Sequence, residues 1–430
     1  MLKPSTSRLT KLWQSWLWPA LSWYMSLPTL ARLEQVTMLC CICMTMSLLT
    51  VATYNPMNCF AVTGRDTLIS QTLKKVQIIG FPGCYPNDYA FAMMRALCTH
   101  PNVGAVLLVS LGCEGFDRDG LGAAIAASGR PTATMAIQEA GGTRATVEAG
   151  RRWVAGALEA MATSPRAPLA WSDLVVGTVC GGSDGTSGIT ANPAIGRCFD
   201  ALVRDGAVCI FTEAGELVGC ESHMASRAVD PAIGDAIQRC LAKAAVYDHA
   251  MGHGSFAPGN AEGGLTTQEE KSMGAYAKSG DSAISGVLAP CERPPGGGLF
   301  LVDDIPEGAP LFGYPNVNDN AKLAELMACG AQVLLFSTGR GSVVGSAIAP
   351  VIKVCANPET HARLADDMDV NAGLVLTGEA TLDLVGARIR AAIADTCSGA
   401  ETRSEALGHQ EFILSYKTYG ARGPSCLVRS

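Results

Sequence analysis

The most informative segment for the fold is LVVGTVCGGSDGTSGITANPAIG, which runs from Leu174 to Gly196. It begins with an apolar, β-branched run, continues through a Gly-rich turn and enters an Ala-containing amphipathic stretch. A short apolar strand followed by a helix is the repeating unit of an α/β protein. We therefore predict that Leu174–Val179 is a buried parallel strand.

The same alternation of strand and helix patterns continues along the chain from Val76 onward. The other strand candidates are too short and too apolar to be exposed amphipathic helices. They are Val76–Phe81, Val103–Ser110, Ala207–Phe211, Gln332–Phe336 and Leu374–Leu376. The sequence thus predicts an α/β fold of mostly parallel sheets with flanking helices.

Two subdomains are expected, a first α/β domain over residues 76–251 with the Gly-rich loop and a second over 252–430 that completes the active site. Gly252–Gly298 is rich in Gly, Pro and polar residues and interrupts the alternation. This segment is either a domain boundary or an excursion that contributes to the active site.

Residues 1–75 form an atypical N-terminal extension, with no acidic residue before Glu34. Val36–Tyr54 (residues 36–54) carries no charge and is long enough to span a bilayer. Three interpretations stay open: a membrane anchor, a targeting extension, and non-native sequence from a mispredicted start. We expect the residues after Val76 to fold without this segment.

Composition narrows the classes of function. The chain has 430 residues, 48% of them hydrophobic, which suffices for two or three compact domains of a soluble enzyme. Its formal charge of −7 disfavours general nucleic-acid binding. The 17 cysteines are dispersed singly among apolar segments, which indicates reduced thiols and a cytoplasmic location. Reduced thiolates are free to bind a metal.

Three cysteines follow predicted strands: Cys84 after VQIIGFPG, Cys113 after VGAVLLVSLG and Cys180 after LVVGTV. The carboxyl ends of parallel strands face one crevice, so these thiolates could converge on one iron or zinc site. Asp184 is a carboxylate candidate for the same site. The alternative is that each cysteine is a small buried hydrophobic residue, which is the usual place of a free cysteine.

The segment from Cys180 to Gly196 is the densest polar stretch of the core region. Its glycines let the backbone approach a ligand and present N–H groups to an anion. A carboxylate-bearing polyol would suit it, and the candidate substrate-binding residues are Ser183, Ser187, Thr190 and Asn192. The stretch has neither a Walker lysine nor GxGxxG, which disfavours a nucleotide site. A plain surface loop is the alternative.

At this loop the chain resembles the altronate hydrolase and D-galactarate dehydratase family, whose core is similar to CGGSD followed by SGxTANPAxG. The likeness runs from about Phe81 to the C-terminus and includes HPNVGAVLLVSLGCE, TEAGELVGCE, PGNAEGGLTTQEEKSMG, FSTGRGS and PVIKVCANPET. The small N-terminal substrate-binding module of some members is absent. In the similar sulfolactate sulfo-lyases that module is a separate chain, so the resemblance implies a separate small subunit as a partner.

The resemblance implies a metal-dependent hydro-lyase that removes the α-proton of a sugar acid such as altronate or galactarate and yields a 2-keto-3-deoxy acid. Elimination of sulfite from (2R)-sulfolactate is the alternative. Fe(2+) would stabilise the charge that spreads onto the substrate carboxylate. A rival cofactor is an iron–sulfur cluster with three cysteine ligands. A homo-oligomer is also expected.

Three cations are candidates for the chemistry. Lys271, in the motif GGLTTQEEKS, would be the base or a clamp for the substrate carboxylate, and a solvated helix lysine is its alternative. Arg340, in FSTGRGS, could hold a carboxylate through two hydrogen bonds or belong to a surface turn. Lys353 lies in an apolar run, where either a substrate or a buried ion pair would explain its charge.

His253 lies between glycines and has a reference pKa suited to proton transfer, although a simple loop histidine is the competing interpretation. Glu213, Glu216 and Glu221 follow a predicted strand and are candidates for metal ligands or a base, with one or two expected at the surface. Two non-catalytic functions compete: a membrane-tethered sugar-acid sensor that uses Val36–Tyr54 as its anchor, and a scaffold subunit that needs another chain for a complete site.

Overall fold

The computed structural model describes residues 46–53, 76–82, 88–164, 167–251, 257–305 and 318–414. All of these residues belong to one compact unit of the chain. They form two β-sheets with helices packed against them. The predicted α/β class is confirmed.

The smaller sheet has four strands in the order β2-β1-β3-β4. β1 is antiparallel to β2 and β3, whereas β3 and β4 are parallel. The strands are β1 (Met46–Thr53), β2 (Val76–Pro82), β3 (Val103–Ser110) and β4 (Thr132–Ala136). The accompanying helices are α1 (Asp88–Cys98), α2 (Arg118–Ala126) and α3 (Thr143–Ala162).

β1 is the whole described part of the predicted anchor Val36–Tyr54, and the remainder of that segment lies outside the described residues. A strand from the predicted extension therefore lies between β2 and β3. Among the helices that the structure describes, none is long and apolar enough to span a membrane.

The larger sheet has seven strands in the order β11-β10-β9-β5-β6-β8-β7, and all neighbours are parallel. The strands are β5 (Val175–Cys180), β6 (Val208–Phe211), β7 (Ile284–Leu288), β8 (Gly298–Val302), β9 (Val333–Thr338), β10 (Val351–Cys355) and β11 (Val370–Asn371). Parallel strands buried on both faces read as continuous apolar runs, and β6, β8 and β9 are buried throughout.

Nine helices accompany this sheet within the described part of the chain. They are α4 (Ala191–Arg204), α5 (Glu221–Ser226), α6 (Pro231–Met251), α7 (Pro258–Glu262), α8 (Gln268–Lys278), α9 (Asp319–Ala328), α10 (Pro358–Arg363), α11 (Leu382–Cys397) and α12 (Arg403–Leu407).

The apolar runs predicted five strands correctly, within one or two residues at each end: β2, β3, β5, β6 and β9. The sixth prediction, Leu374–Leu376, is wrong. These residues lie in and just after a 3₁₀ turn over Gly373–Val375, where the N–H groups of Val375 and Leu376 donate to Ala372 and Gly373. Their backbone hydrogen bonds are thus made within the turn rather than to a neighbouring strand.

The larger sheet crosses the boundary that the sequence placed between residues 251 and 252. β5 and β6 come from the predicted first domain and lie between β9 and β8 of the predicted second domain. The two sheets instead separate along the chain between β4 and β5. The segment Gly252–Gly298 contains β7, an edge strand of the larger sheet, and α8, one of the helices that accompany this sheet.

β5 is the strand at which the order of the larger sheet reverses. β6 and β8 lie on one side of β5, and β9 and β10 lie on the other. In open α/β sheets, ligands bind outside the carboxyl ends of the strands at such a reversal. This position is occupied by Cys180, the last residue of β5.

Candidate active site

A thiol and two carboxylates meet at the carboxyl ends of β5 and β6. Donor atoms of Cys180, Glu213 and Glu216 all lie within 4.8 Å of one another. The Cys180 thiol donates to Glu216 at 3.0 Å, and the Cys180 backbone N–H donates to Glu213 at 3.0 Å. Within the described residues, this is the one group of His, Cys, Asp and Glu side chains able to hold a metal.

The backbone at Glu213 is strained to make this arrangement. Glu213 has a left-handed conformation with φ of 74°, which is uncommon for a residue with a side chain. The next residue is anchored, because the Ala214 N–H donates to Asp304 at the end of β8 at 3.3 Å. Such strain persists where the surroundings enforce it, and it concentrates at functional sites.

α8 brings two lysines to the carboxylates. Thr267 caps the helix by accepting the Glu270 N–H at 3.1 Å. Lys271 and Lys278 are seven residues apart, so they lie on one face of the helix two turns from each other. Both lysine side chains are buried.

The two lysines form separate ion pairs. The ammonium of Lys271 lies 3.0 Å from Glu216, 3.0 Å from the Ser183 hydroxyl and 3.4 Å from the Cys180 sulfur. The ammonium of Lys278 is paired with Glu213. Each glutamate is therefore neutralised by its own lysine, as buried charges must be.

These contacts determine the protonation of the cluster. Burial would lower the pKa of Lys271, but the neighbouring Cys180 and Glu216 outweigh burial and raise it. Burial, helped by the Glu213 and Glu216 carboxylates, raises the pKa of the Cys180 thiol to about 12. Burial opposes the charge on Glu216, but Lys271 and Lys278 outweigh it and lower the pKa of Glu216. At neutral pH the lysines are ammonium ions and Cys180 is a thiol.

The donor set of the cluster fits a divalent transition metal. One sulfur and two carboxylates combine soft and hard ligands, a mixture that accommodates iron or zinc. Glu213 uses Oε2 for both Lys278 and the Cys180 N–H, and no hydrogen bond of the described residues uses its Oε1. The Cys180 proton would have to leave for the sulfur to bind a metal.

A cavity of about 320 Å³ opens beside the cluster. Its polar lining includes Ser183, Ser187, Asn192 and Lys271, while Ile189 and Met273 contribute apolar surface. Lys271 thus touches both the buried cluster and the cavity. Lys271 and Ser183 thus present an ammonium group and a hydroxyl group to the cavity.

The Gly-rich loop uses most of its polar side chains internally. Asp184 accepts hydrogen bonds from the Thr186 backbone and hydroxyl, from Ser187 and from Asn357. The Thr190 hydroxyl donates to the carbonyls of Thr186 and Ala356. Asp184, predicted as a metal ligand, lies outside the metal-capable group, and Thr190, predicted to bind substrate, is fully buried.

Asn192 and the two serines have different positions in the loop. The Asn192 amide donates to Gly274 of α8 and accepts from Ser337 of β9, so it joins α4, α8 and β9 even though it lines the cavity. Ser187 bonds to Asp184 and also lines the cavity. Ser183 alone of the predicted substrate-binding residues contacts the charged cluster.

The other predicted cations do not join Lys271. The Arg340 guanidinium, in the loop after β9, bonds to Gly259 and lies 3.2 Å from Glu262. Lys353 lies in β10 and is fully buried, and its ammonium donates to the Val344 carbonyl at 3.5 Å. Burial lowers the pKa of Lys353 despite the nearby Asp369. Neither residue lines the described cavity.

Of the three predicted cysteine ligands, the two that the structure describes do not share one metal-capable group. Cys113 follows β3 in the smaller sheet, is exposed and lies outside the group around Cys180, which ends a strand of the larger sheet. The prediction required all three cysteines to follow strands of one sheet, whereas Cys113 and Cys180 follow strands of two different sheets. Cys84 and His253 lie outside the described residues.

The sequence analysis did not identify several residues of the cluster, or left their roles open. Lys278 could have been identified from the sequence, because it follows Lys271 by two turns of the same helix. Asp304 and Lys322 form a buried ion pair beside the cluster, and no sequence pattern indicated this pair. Of the three glutamates, Glu213 and Glu216 belong to the site, while Glu221 accepts the Gly219 N–H at 2.8 Å at the start of α5.

Two stretches of the chain match known protein families. Residues 171–419 match the family described as "D-galactarate/Altronate dehydratase, C-terminal", a match that spans more than half of the chain. The chain belongs to the D-galactarate/altronate dehydratase family. Residues 71–162 match the description "D-galactarate dehydratase/Altronate hydrolase, second domain". The two matches follow the division of this family member into a smaller and a larger sheet.

Relatives in the D-galactarate/altronate dehydratase family carry the names of lyases. The chain is 33% identical over 336 residues to (2R)-sulfolactate sulfo-lyase subunit beta of Chromohalobacter salexigens, covering 76% of this chain and 82% of that protein. It is 34% identical over 313 residues to galactarate dehydratase (L-threo-forming) of Escherichia coli, covering 70% and 57%. For altronate dehydratase of Escherichia coli the identity is 32% over 329 residues, covering 75% and 63%. The chain spans less than two thirds of each of these two dehydratases.

Proposed function

We propose that the protein is a hydro-lyase that removes the α-proton of a sugar acid such as galactarate or altronate and expels the β-hydroxyl. The observation that carries this proposal is the contact of Lys271 with both the buried Cys180–Glu216 cluster and the cavity. Names of similar proteins support the reaction class, since they are dehydratases and a sulfo-lyase.

Lys271 acts as a carboxylate clamp and proton donor in this proposal. Its raised pKa keeps it an ammonium ion at neutral pH, which argues against its use as the base. An ammonium group in a buried site stabilises the negative charge that develops on a substrate carboxylate when the α-proton leaves. The Ser183 hydroxyl, 3.0 Å from the ammonium, fixes its direction.

The proposed metal is a divalent iron held by Cys180, Glu213 and Glu216. When bound, it would supply Lewis acidity to a substrate oxygen. A three-cysteine iron–sulfur cluster finds less support, because Cys180 is the sole cysteine in the metal-capable group of the described residues. The protein's own side chains bind and orient the substrate: Lys271 holds its carboxylate, and Ser187 lies along the cavity.

A sugar acid is favoured over sulfolactate by the charge of the cavity. Sulfolactate has two anionic groups on three carbons and needs closely spaced cations. Of the cations predicted for this purpose, Lys271 lines the described cavity, whereas Arg340 pairs with Glu262 and Lys353 is buried in β10. Sulfite elimination stays the second candidate, since the sulfo-lyase subunit is matched over 82% of its length.

Direct turnover tests the proposal. Purified full-length protein, supplied with Fe(2+) in the absence of air, is incubated with galactarate, altronate and (2R)-sulfolactate, and 2-keto acid and sulfite are measured. We expect 2-keto acid from a sugar acid and no sulfite. Sulfite from sulfolactate without turnover of either sugar acid would transfer the assignment to the second candidate. Binding of a sugar acid without turnover would support the sensor function instead.

A separate small subunit is a further proposal. Its support is the name of one relative, a subunit beta. If the purified chain alone turns over a sugar acid at a rate typical of enzymes, roughly 1 s⁻¹ or faster, a partner is not needed for the chemistry. A chain that binds a sugar acid but turns it over only with an added subunit would support the partner.

A further inference from the structure

We propose that the cavity selects monocarboxylic sugar acids that end in a methyl group, the 6-deoxy hexonic acids, and that Ile189 and Met273 make this selection. The inference rests on the proposed lyase function and narrows its substrate class. It is carried by two features of the cavity lining: the place of its apolar side chains and the charges of its polar ones.

Burial divides the cavity into an inner and an outer end. Lys271 and Ser183 are 4% and 1% exposed, and the Lys271 ammonium contacts the Cys180 sulfur and the Ser183 hydroxyl. Ile189 and Met273 line the same cavity but are 58% and 55% exposed. A substrate whose carboxylate binds Lys271 at the inner end therefore directs its other end towards Ile189 and Met273.

A close contact between the Gly-rich loop and α8 brings these two apolar residues to one part of the lining. A Cβ atom built on Gly274 would lie 3.0 Å from Cα of Gly188. Ile189 follows one of these glycines in the chain, and Met273 precedes the other. Large apolar side chains left exposed beside a cavity are typical of a surface that a ligand covers. The outer end thus suits an apolar group of the substrate.

The charges of the lining exclude a second anionic group. Lys271 is the one cation among the described residues that line the cavity, and the first carboxylate occupies it. Glu270 lines the same cavity, and the Thr266 N–H and hydroxyl, both at 2.8 Å, lower the pKa of Glu270 and keep it a carboxylate. The second carboxylate of galactarate would meet an anion and no second cation, and an unpaired charge is costly to remove from water.

The apolar outer end distinguishes a methyl group from a hydroxymethyl group. A methyl group against Ile189 and Met273 removes apolar surface from water on the ligand and on the protein. A hydroxyl group at the same place would lose hydrogen bonds to water, and neither side chain can replace them. The remaining hydroxyl groups of a 6-deoxy acid can still bond to Ser187 and Glu270, which line the cavity.

The first test uses acids that differ only in their last carbon. 6-Deoxy-D-galactonate, D-galactonate and galactarate end in a methyl, a hydroxymethyl and a carboxylate group, and 6-deoxyaltronate and altronate form a second pair. Purified full-length protein with Fe(2+) gives kcat/KM for each. We expect each methyl-ended acid to exceed its hydroxymethyl counterpart by at least about 10-fold, and galactarate to be the poorest substrate. Equal values or the reverse order would overturn the inference, while turnover itself would uphold the lyase function.

The second test changes the outer end. In the double variant Ile189→Asn, Met273→Gln, the preference for the methyl-ended acid should fall below about 2-fold, because the apolar surface is gone. Met273→Lys adds a cation and should raise kcat/KM for galactarate relative to D-galactonate by at least about 2-fold. Val246→Gln is the control, since Val246 is 71% exposed on α6 and does not line the cavity. It should keep the wild-type ratios, and a residue that only supports the fold would not move them either.

Further outcomes separate this inference from the lyase function. Unchanged ratios in folded variants of Ile189 and Met273 would overturn their role, whichever acid the wild type converts. If the wild type converts none of the five acids, the lyase function fails, and calorimetric affinities for the same acids test the ligand class. Tighter binding of the methyl-ended acids would then uphold the selection, and binding without preference would overturn it as well.

Discussion

Lys271 connects the buried cluster with the cavity, so its replacement tests both. In Lys271→Met the ammonium group disappears from Glu216, Ser183 and Cys180. We expect kcat for a sugar acid to fall by at least about 100-fold, as for the loss of a positioned proton donor. The measurement is 2-keto acid release at saturating substrate.

Lys243→Met is the matched control for Lys271→Met. Lys243 pairs with Asp303 at 2.6 Å, and both side chains are about one fifth exposed. The substitution thus also breaks a lysine–carboxylate pair, but outside the site. Equal losses of activity in the two variants would mean that Lys271 only supports the fold.

Cys180 and Cys113 differ in the setting that decides metal binding. Cys180 lies with two carboxylates, whereas Cys113 is exposed at the end of β3. We expect Cys180→Ser to weaken iron binding by at least about 10-fold, the smaller end of the loss caused by removing even a supporting group. Cys113→Ser should bind iron like the wild type. Iron per chain, measured by mass spectrometry after dialysis, checks this; equal iron in both variants would rule out Cys180 as a ligand.

At the scale of elements, the close approach of α4 and α8 holds the two lysines in place. A Cβ on Gly196 of α4 would lie 2.3 Å from the Ala277 carbonyl of α8 and 2.8 Å from the Gly280 nitrogen. Gly196→Ala must push α8 outward. We expect a loss of about 1–3 kcal/mol in the free energy of unfolding, typical of overpacking, and a lower kcat because Lys271 moves with α8.

Gly156→Ala in α3 is the control for Gly196→Ala. No atom lies within 4 Å of a Cβ added there, so the helix should gain up to about 1 kcal/mol from the better helix former. Urea unfolding and the 2-keto acid assay measure both variants. A Gly196→Ala variant as stable and active as the wild type would show that the helices separate without cost.

At the scale of the whole molecule, the turn after α1 joins the two sheets. His100 is buried, its Nε2 lies 3.0 Å from the Ala331 carbonyl beside β9, and its Nδ1 accepts the Asn102 N–H at 3.0 Å. The Asn102 amide donates to Gln332 and Ile348. Burial, together with nearby Arg293, lowers the pKa of His100 to about 3. The junction therefore requires a neutral histidine.

This requirement makes stability depend on pH. Between the ordinary histidine pKa of about 6.5 and the folded value of about 3, the unfolded chain binds a proton that the folded chain does not. The free energy of unfolding should thus fall with decreasing pH, by up to about 1.4 kcal/mol per pH unit from this group. Urea unfolding at pH 7.5, 6 and 5 should give a shallower slope for His100→Gln than for the wild type. Parallel slopes would assign the pH dependence to other groups.

The fold class and the Gly-rich loop were predictable from the amino-acid sequence, which also singled out Cys180 and Lys271 as candidate site residues. Strands such as β3 and β5 were predicted because their apolar runs are continuous. β10 escaped prediction because Lys353 interrupts its apolar run. Local patterns carry such features whatever the rest of the chain does.

Which side chains lie together depends on how the strands and helices are arranged in space. The tertiary structure separated Cys113 from Cys180 by placing them on different sheets, and it assembled Glu213, Glu216 and Lys278 around Cys180. The strand order β9-β5-β6 brings these distant segments together, and strand order is not encoded in any short pattern. Whether a polar side chain is free for a ligand is likewise decided by its partners in space. Asn192, which the sequence predicted to bind a substrate, is held by α8 and β9.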